Sequence, residues 1–248
     1  MNDWLARWGL DRDPFRERDR AYIGVASHGR ALARLLDGLD SSEPIVELRG
    51  EPGIGKTRLL DRALLMASRP DRRLVRVAGS PEVDALPSLI LERLGRGPNG
   101  NPWRDLERRV RLHRGLGETL IIAIDDGHQV ADEAVERLSR IDPATVVVRA
   151  IADDGESPYP WRWACRLPSW THSEAAQYLV EKLRSAGGSA SILGEGAIGA
   201  LHAWSMGTPR GLNRLASACL ERAGKLGERA VSAVLVEEIA RDYLDVAA

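Results

Sequence analysis

Lysine is scarce in this chain: of 35 basic residues only positions 56, 182 and 225 are lysine, and the other 32 are arginine. The skew has two readings, codon drift in a GC-rich genome or retention of arginine for forked contacts to phosphate and carboxylate that lysine makes less well. An excess of one charge is missing too. Acidic residues number 36 and the formal net charge is -1, which excludes a global basic field drawn to nucleic acid or membrane. Cysteine occurs twice, at Cys165 and Cys219, too few for a disulfide framework and in keeping with a reducing compartment. No apolar run nears the roughly 18 residues of a membrane span; the best are Leu120 to Ile124 and Thr145 to Val148. The opening stretch MNDWLARWGLDRDPF lacks the apolar segment of a signal peptide. Internal repeats, low-complexity tails, zinc motifs and a helix-turn-helix extension are absent as well. The expectation is a soluble, cytoplasmic protein without membrane insertion.

What is present is enough for a real core: 248 residues, 44% hydrophobic and 29% charged, or between one and two domains at roughly 150 residues each. Short apolar segments at Pro44 to Leu48, Leu74 to Ala78, Leu120 to Ile124 and Thr145 to Ala152 read as strands, with Glu47 the one interruption of the first and Arg149 the awkward member of the fourth. Helical spacing follows the first strand (Leu59, Leu60, Ala63, Leu64, Ala67) and recurs over Ala85 to Leu94 and over Trp103 to Leu116, where Leu106, Val110 and Leu112 form the apolar stripe. Strands alternating with helices predict a parallel α/β sheet. After Pro168 the texture changes: Ser173 to Arg184, Glu195 to Trp204, Arg210 to Leu226 and Ser232 to Val246 all have helical period, with no strand among them.

Chemistry concentrates at the end of the first strand. Gly50-Glu51-Pro52-Gly53-Ile54-Gly55-Lys56-Thr57, with Arg58 after it, fits the phosphate-loop pattern G-x-x-x-x-G-K-[ST] in full. Its glycines let successive N–H groups curl around an anion, and the helix that follows points its positive end at the same phosphates. Lys56, one of the three lysines, adds a mobile charge for the outer phosphates, and the Thr57 hydroxyl is placed to ligand Mg²⁺. The third strand ends in Asp125-Asp126, where Asp125 can hold Mg²⁺ through water; the alternative for this acidic pair is an ordinary helix cap.

The loop, the strand ending Asp125-Asp126-Gly127-His128 and the helical stretch Gly207-Thr208-Pro209-Arg210 together resemble an AAA+ ATPase, most similar to the ExeA-type ATPases of bacterial secretion machinery and their relatives in transposition modules. The resemblance extends over nearly the whole chain. It implies an N-terminal segment over 1–25 near the nucleotide, with Trp8-Gly9-Leu10 and Pro14-Phe15 packing near the adenine, an α/β nucleotide-binding domain over 26–168, and a helical lid domain over 169–248. Tyr22 to Leu35, with Ser27-His28, resembles the helix leading into the first strand. Gly207-x-Pro209-Arg210-x-x-Asn213 resembles the lid motif whose arginine reaches the nucleotide phosphates, so Arg210 is expected there as a second sensor. The resemblance also implies a homo-oligomer whose sites are completed by an arginine from a neighbouring subunit; Arg162 is favoured over Arg166, and both could instead flank a tryptophan-lined packing surface. A first sensor falls on Asp153 or Asp154, where an amide or hydroxyl is the commoner choice.

Departures from the family pattern carry their own expectations. Asp126 stands where such ATPases usually have glutamate to polarise the attacking water, and a carboxylate set back by more than about an ångström can cost about 10²-fold. Slow hydrolysis is expected unless water or His128 compensates; His128 reads more readily as a structural helix-start residue than as a base. Arg104, Arg108, Arg109, Arg111 and Arg114 decorate one helix with Asp105 and Glu107 between them, a mixed-sign solvated face or a duplex-DNA backbone contact. The secretion ATPases continue into a membrane span, for which no apolar run exists here. The sequence therefore predicts a Mg²⁺-dependent ATPase that binds ATP through Gly50–Arg58 and Arg210, holds metal with Thr57 and Asp125, and remodels or positions a macromolecular partner. An ATP-gated adaptor recruiting a transposase to DNA with negligible turnover is the alternative, and a small-molecule P-loop kinase a third.

Overall fold

The computed structural model describes residues 3–16, 22–41, 43–79, 85–153 and 163–245. The chain divides into two compact units, one of Met1–Gly29, Gly53–Gly55 and Pro168–Ala248, the other of Arg30–Pro52 and Lys56–Leu167.

The second unit is built on five strands, β1 (Ile45–Arg49), β2 (Arg72–Ala78), β3 (Thr119–Asp125), β4 (Thr145–Ile151) and β5 (Trp163–Arg166), all parallel in the order β2-β3-β4-β1-β5. Central strands of a parallel sheet are covered on both faces, and every residue of β1 and β4 is buried. On one face Leu120, Ile122 and Ile124 of β3 join Val75, Val77, Ile45 and Val147 beneath α4 (Ala85–Arg93), α5 (Pro102–Gly115) and α6 (Asp132–Ser139). The two-residue period of a strand turns Ile121, Ala123 and Asp125 to the opposite face, where α3 (Lys56–Ala67) buries Leu59, Leu60, Ala63, Leu64 and Ala67. That alternation is why Asp125, and not Ile124, meets the start of α3.

Two details differ from the sequence reading. β5 is a strand that periodicity missed, because four residues with a single buried side chain, Cys165, leave no pattern. Its place against β1 is secured by α2 (Ala26–Asp40): Trp163 Nε1–H donates to the Arg34 carbonyl at 2.9 Å, Arg34 Nε–H to the Ala164 carbonyl at 3.0 Å, and the Cys165 thiol to the Ala31 carbonyl at 3.1 Å. Burial pushes the Cys165 thiol up to about 11, out of nucleophilic use. On α5, Trp103, Leu106 and Val110 are buried, spaced as one helical face, and Leu112 lies 54% exposed, about 200° on from Val110.

In the other unit α1 (Asp3–Arg7) joins α7 (His172–Ser185), α8 (Ala197–Ser205), α9 (Pro209–Leu226) and α10 (Ala233–Asp245) around one apolar core that includes Trp4, Trp8, Leu10 and Phe15. Local chemistry sets the helix ends. Thr171 and Glu174 form a reciprocal capping box on α7, and Thr208 caps α9 with Pro209 in its first turn. Trp8 Nε1–H donates to the Leu220 carbonyl at 3.0 Å, so the N-terminal tryptophans pack on α9. No helix among the described residues is long and apolar enough to cross a membrane.

Candidate active site

The loop from Gly50 to Thr57 joins β1 to α3, and Gly53 (φ +84°) and Gly55 (φ +103°) adopt a conformation open to glycine and costly to other residues. Glycines in this conformation allow the tight backbone turn that an anion cradle requires. Lys56 Nζ donates to the carbonyls of Gly50 (2.7 Å) and Glu51 (3.1 Å), which hold the ammonium at the loop.

Thr57, in the first turn of α3, donates its hydroxyl to Asp125 Oδ1 at 3.2 Å. A hydroxyl and a carboxylate converging at this distance are hard oxygen donors of the kind Mg²⁺ selects, so this donor pair fits the metal that the motif implies. The other oxygen, Asp125 Oδ2, accepts from Arg76 Nη2 at 2.6 Å, and Arg76 Nε lies 3.1 Å from Asp61 Oδ1 in an ion pair. Sequence reasoning missed Arg76; its signal was a lone charge between Val75 and Val77 in mid-strand.

Asp126 is exposed and left-handed (φ 51°, ψ 37°). Aspartate and asparagine are among the few side chains that tolerate this region, a backbone reason for aspartate where the resemblance leads one to expect glutamate. The turn is gripped from both sides. Gly79 N–H donates to the Asp125 carbonyl at 2.6 Å, and a Cβ on Gly79 would collide with the Asp126 carbonyl oxygen. From the other side Arg149 Nε–H donates to the Gly127 carbonyl at 2.9 Å and Nη2–H to that of Val130 at 3.1 Å, while Nη1 pairs with Asp132 at the start of α6. Two charged members of the strands are neighbours here: Glu47 of β1 is the register partner of Arg149 of β4, and Glu47 pairs with Arg49 at 2.9 Å.

Within the helical unit, Arg210 N–H donates to the Gly53 carbonyl at 3.2 Å, and a Cβ on Gly53 would lie 2.9 Å from Arg210 Cβ. The Arg210 side chain is exposed and forms no ion pair among the described residues. His28 Cε1 lies 3.4 Å from where a Gly55 Cβ would stand, and His28 Nε2 accepts from Trp170 Nε1–H at 2.9 Å. Glu174 beside it accepts from the N–H groups of Ser27 (2.6 Å) and Thr171 (3.1 Å). Burial lowers the His28 pKa to about 4 against the pull of Glu174, so the ring is neutral and its Nδ1 carries the hydrogen.

A pH dependence follows from that shift. Below about pH 6.5 the unfolded chain protonates His28 while the folded chain does not, so stability falls as pH drops towards 4. Between pH 7 and 5 this contribution is about 2 kcal/mol. Denaturant midpoints are expected to show that slope in the wild type and to lose it in His28→Gln, which keeps an acceptor for Trp170; equal slopes would remove the assignment.

The remaining expected residues fall as follows. Arg166 is engaged in its own chain, donating Nη2–H to Asp153 Oδ1 at 2.8 Å with Nε 2.8 Å from Oδ2; two residues expected in separate roles thus form one ion pair. Arg162 and Asp154 lie outside the described residues. His128 is exposed. On α5, Arg108, Arg111 and Arg114 pair with Asp105, Glu107 and Asp142, the arrangement of a mixed-sign face. No cluster of three metal-ligating His, Cys, Asp or Glu side chains occurs among the described residues.

Residues 39–151, from the end of α2 through β4, match the family model of an AAA domain. The fold is similar to that of a chain in the structure of Drosophila ORC bound to DNA, with a TM-score of 0.59 and 14% identity over 87% of this chain and 66% of that one. At that identity the likeness is one of fold, a parallel P-loop sheet domain followed by helices. No curated protein matches this chain. The topology is thus that of an AAA-like α/β fold with C-terminal helices, and the family match lies within its sheet-bearing part.

Proposed function

We propose that this protein is a Mg²⁺-dependent ATPase of slow turnover that works on a macromolecular partner as an oligomer. The observation that carries the reading is the Thr57–Asp125 pair at 3.2 Å beside a glycine loop of the phosphate-binding pattern. In this reading the N–H groups of Gly50–Arg58 bind the phosphate chain, Lys56 and Arg210 neutralise its outer charges, and Thr57 and Asp125 hold the metal. Mg²⁺, when bound, would neutralise charge on the β- and γ-phosphate oxygens. Asp126 orients the attacking water and accepts its proton, and Arg162 is the residue offered to a neighbouring copy's site.

Duplex DNA is the partner we favour, since an AAA-type fold of this arrangement serves in an assembly that is itself bound to DNA. The near-zero net charge limits such binding to a local surface. A second reading, in which ATP binding alone gates recruitment of other machinery as in the transposition relatives of the ExeA-type ATPases, is favoured by the short, left-handed Asp126. Steady-state ATP hydrolysis with and without duplex DNA separates the two. The ATPase reading expects turnover below about 10 s⁻¹, an ordinary enzymatic rate, rising several-fold with DNA. Binding of ATP without detectable hydrolysis selects the gated adaptor, and failure to bind ATP removes both.

A further inference from the structure

Arg76 is a fixed charge for which the proposed ATPase has no role. It sits in mid-strand on β2, with Val75 and Val77 buried on either side. Strand alternation turns it to the face that carries Ala123, its register partner, and Asp125. Its guanidinium forks between two carboxylates, with Nη2 2.6 Å from Asp125 Oδ2 and Nε 3.1 Å from Asp61 Oδ1. Asp61 lies four residues after Thr57 on α3 and so shares its face of the helix. One oxygen of Asp125 thus meets the Thr57 hydroxyl, and the other is covered by a cation that cannot be deprotonated.

The two carboxylates are not equivalent. Asp125 is 11% exposed in its side chain and Asp61 52%, so Asp61 is the partner that solvent leaves accessible throughout, while Asp125 is the one a metal needs. A charge-assisted bond to Asp125 Oδ2 competes directly with coordination of a dication by the same carboxylate.

We infer that Arg76 sets the Mg²⁺ requirement of this site: it occupies Asp125 while the cation is absent and is retained by Asp61 alone when the cation engages. The inference rests on the ATPase reading above. It makes β2 and α3 sensitive to metal occupancy through a single side chain, with Asp61 as the resting place that lowers the barrier to exchange.

Titration of Mg²⁺ into the full chain with a fluorescent ATP analogue, read as analogue binding and not as hydrolysis, tests it. Arg76→Gln is expected to lower the half-saturating Mg²⁺ concentration about tenfold or more, the scale on which one neighbouring charge shifts a carboxylate equilibrium. Arg76→Lys, which keeps the charge, is expected to stay near the wild type. Asp61→Asn removes the second partner and is expected to raise the requirement several-fold. A purely structural Arg76 would weaken binding in the Gln variant, so an unchanged or raised Mg²⁺ requirement there overturns the inference and leaves the ATPase reading intact. Should Arg76→Gln fail to fold, an unchanged requirement in Asp61→Asn overturns it. If the wild type binds no analogue at any Mg²⁺ concentration, the ATPase reading falls and the inference falls with it.

Discussion

Asp126→Asn is expected to reduce ATP turnover by about 10²- to 10⁴-fold, the usual contribution of a positioned acid or base, with nucleotide affinity little changed. The variant isolates the charge. Asparagine has the same shape as aspartate and is equally at home at φ 51°, ψ 37°, so the turn held by Gly79 and Arg149 keeps its geometry. Asp126→Glu asks a different question. The carboxylate moves forward by one methylene, and turnover is expected to rise, at most by the roughly 10²-fold that placement on this scale carries. The left-handed backbone tolerates glutamate less well than aspartate, and stability is expected to fall by about 1 kcal/mol, or roughly 2–4 °C in Tm for a chain of this size. Steady-state hydrolysis and thermal melts of the three proteins read both effects. An Asn variant that hydrolyses at the wild-type rate would take Asp126 out of the chemistry.

Arg149→Met is expected to cost about 3–5 kcal/mol of folding stability, the range for breaking a buried ion pair by removing one partner. Its side chain is 10% exposed, and its three donors serve two carbonyls and the Asp132 carboxylate, all on the segment that follows β3. Methionine fills much of the volume and satisfies none of them. Glu47, fully buried at the register position beside it, would lose a neighbouring positive charge as well. Arg149→Lys is not expected to rescue, because a single ammonium cannot reproduce a planar fork that spans three acceptors. Urea midpoints measure the loss. A change below about 1 kcal/mol, the scale of an exposed pair, would show that water replaces the guanidinium without difficulty.

Much of the α/β unit was legible beforehand because its signals are local. A strand buried on both faces must be continuously apolar, and Ile121 to Ile124 could hardly have been anything else; the phosphate loop announces itself by eight consecutive residues. The C-terminal helices were equally plain from their apolar period, and the structure adds Thr171 and Thr208 as caps on two of them. Less visible were elements whose stability comes from partners far off in sequence. β5 has one buried side chain and exists through its ladder to β1 and the contacts of Trp163 and Ala164 with Arg34. The stripe on α5 was misread at Leu112 because an apolar residue two positions past Val110 lies on the wrong side of the helix.

The candidate site shows the same division. Lys56, Thr57 and Asp125 were assigned from residue type and spacing, and the structure brings Thr57 and Asp125 within hydrogen-bond reach. Arg76 left no more than a lone charge in mid-strand, because nothing in the strand Leu74 to Ala78 says that Asp61 and Asp125 meet it. His28 was seen only as part of a helix; its neutrality depends on burial, beside Trp170 142 positions away, that outweighs the opposing charge of Glu174.

By itself the sequence determined the order of elements, the position of a glycine loop of phosphate-binding pattern, the hydroxyl and carboxylate of a kind suited to a hard cation, and the scarcity of lysine that makes Lys56 conspicuous. These follow from covalent neighbours and from periods of two and 3.6 residues, which any local stretch displays. Only the tertiary structure decided that Glu47 and Arg149, two blemishes on separate strands, are register partners, that Asp126 sits where glutamate would be strained, and that Arg76 covers half of Asp125. Each of these depends on which strands lie side by side and which face a side chain takes. That is settled by burying the apolar face of the whole sheet at once, and no single segment carries it.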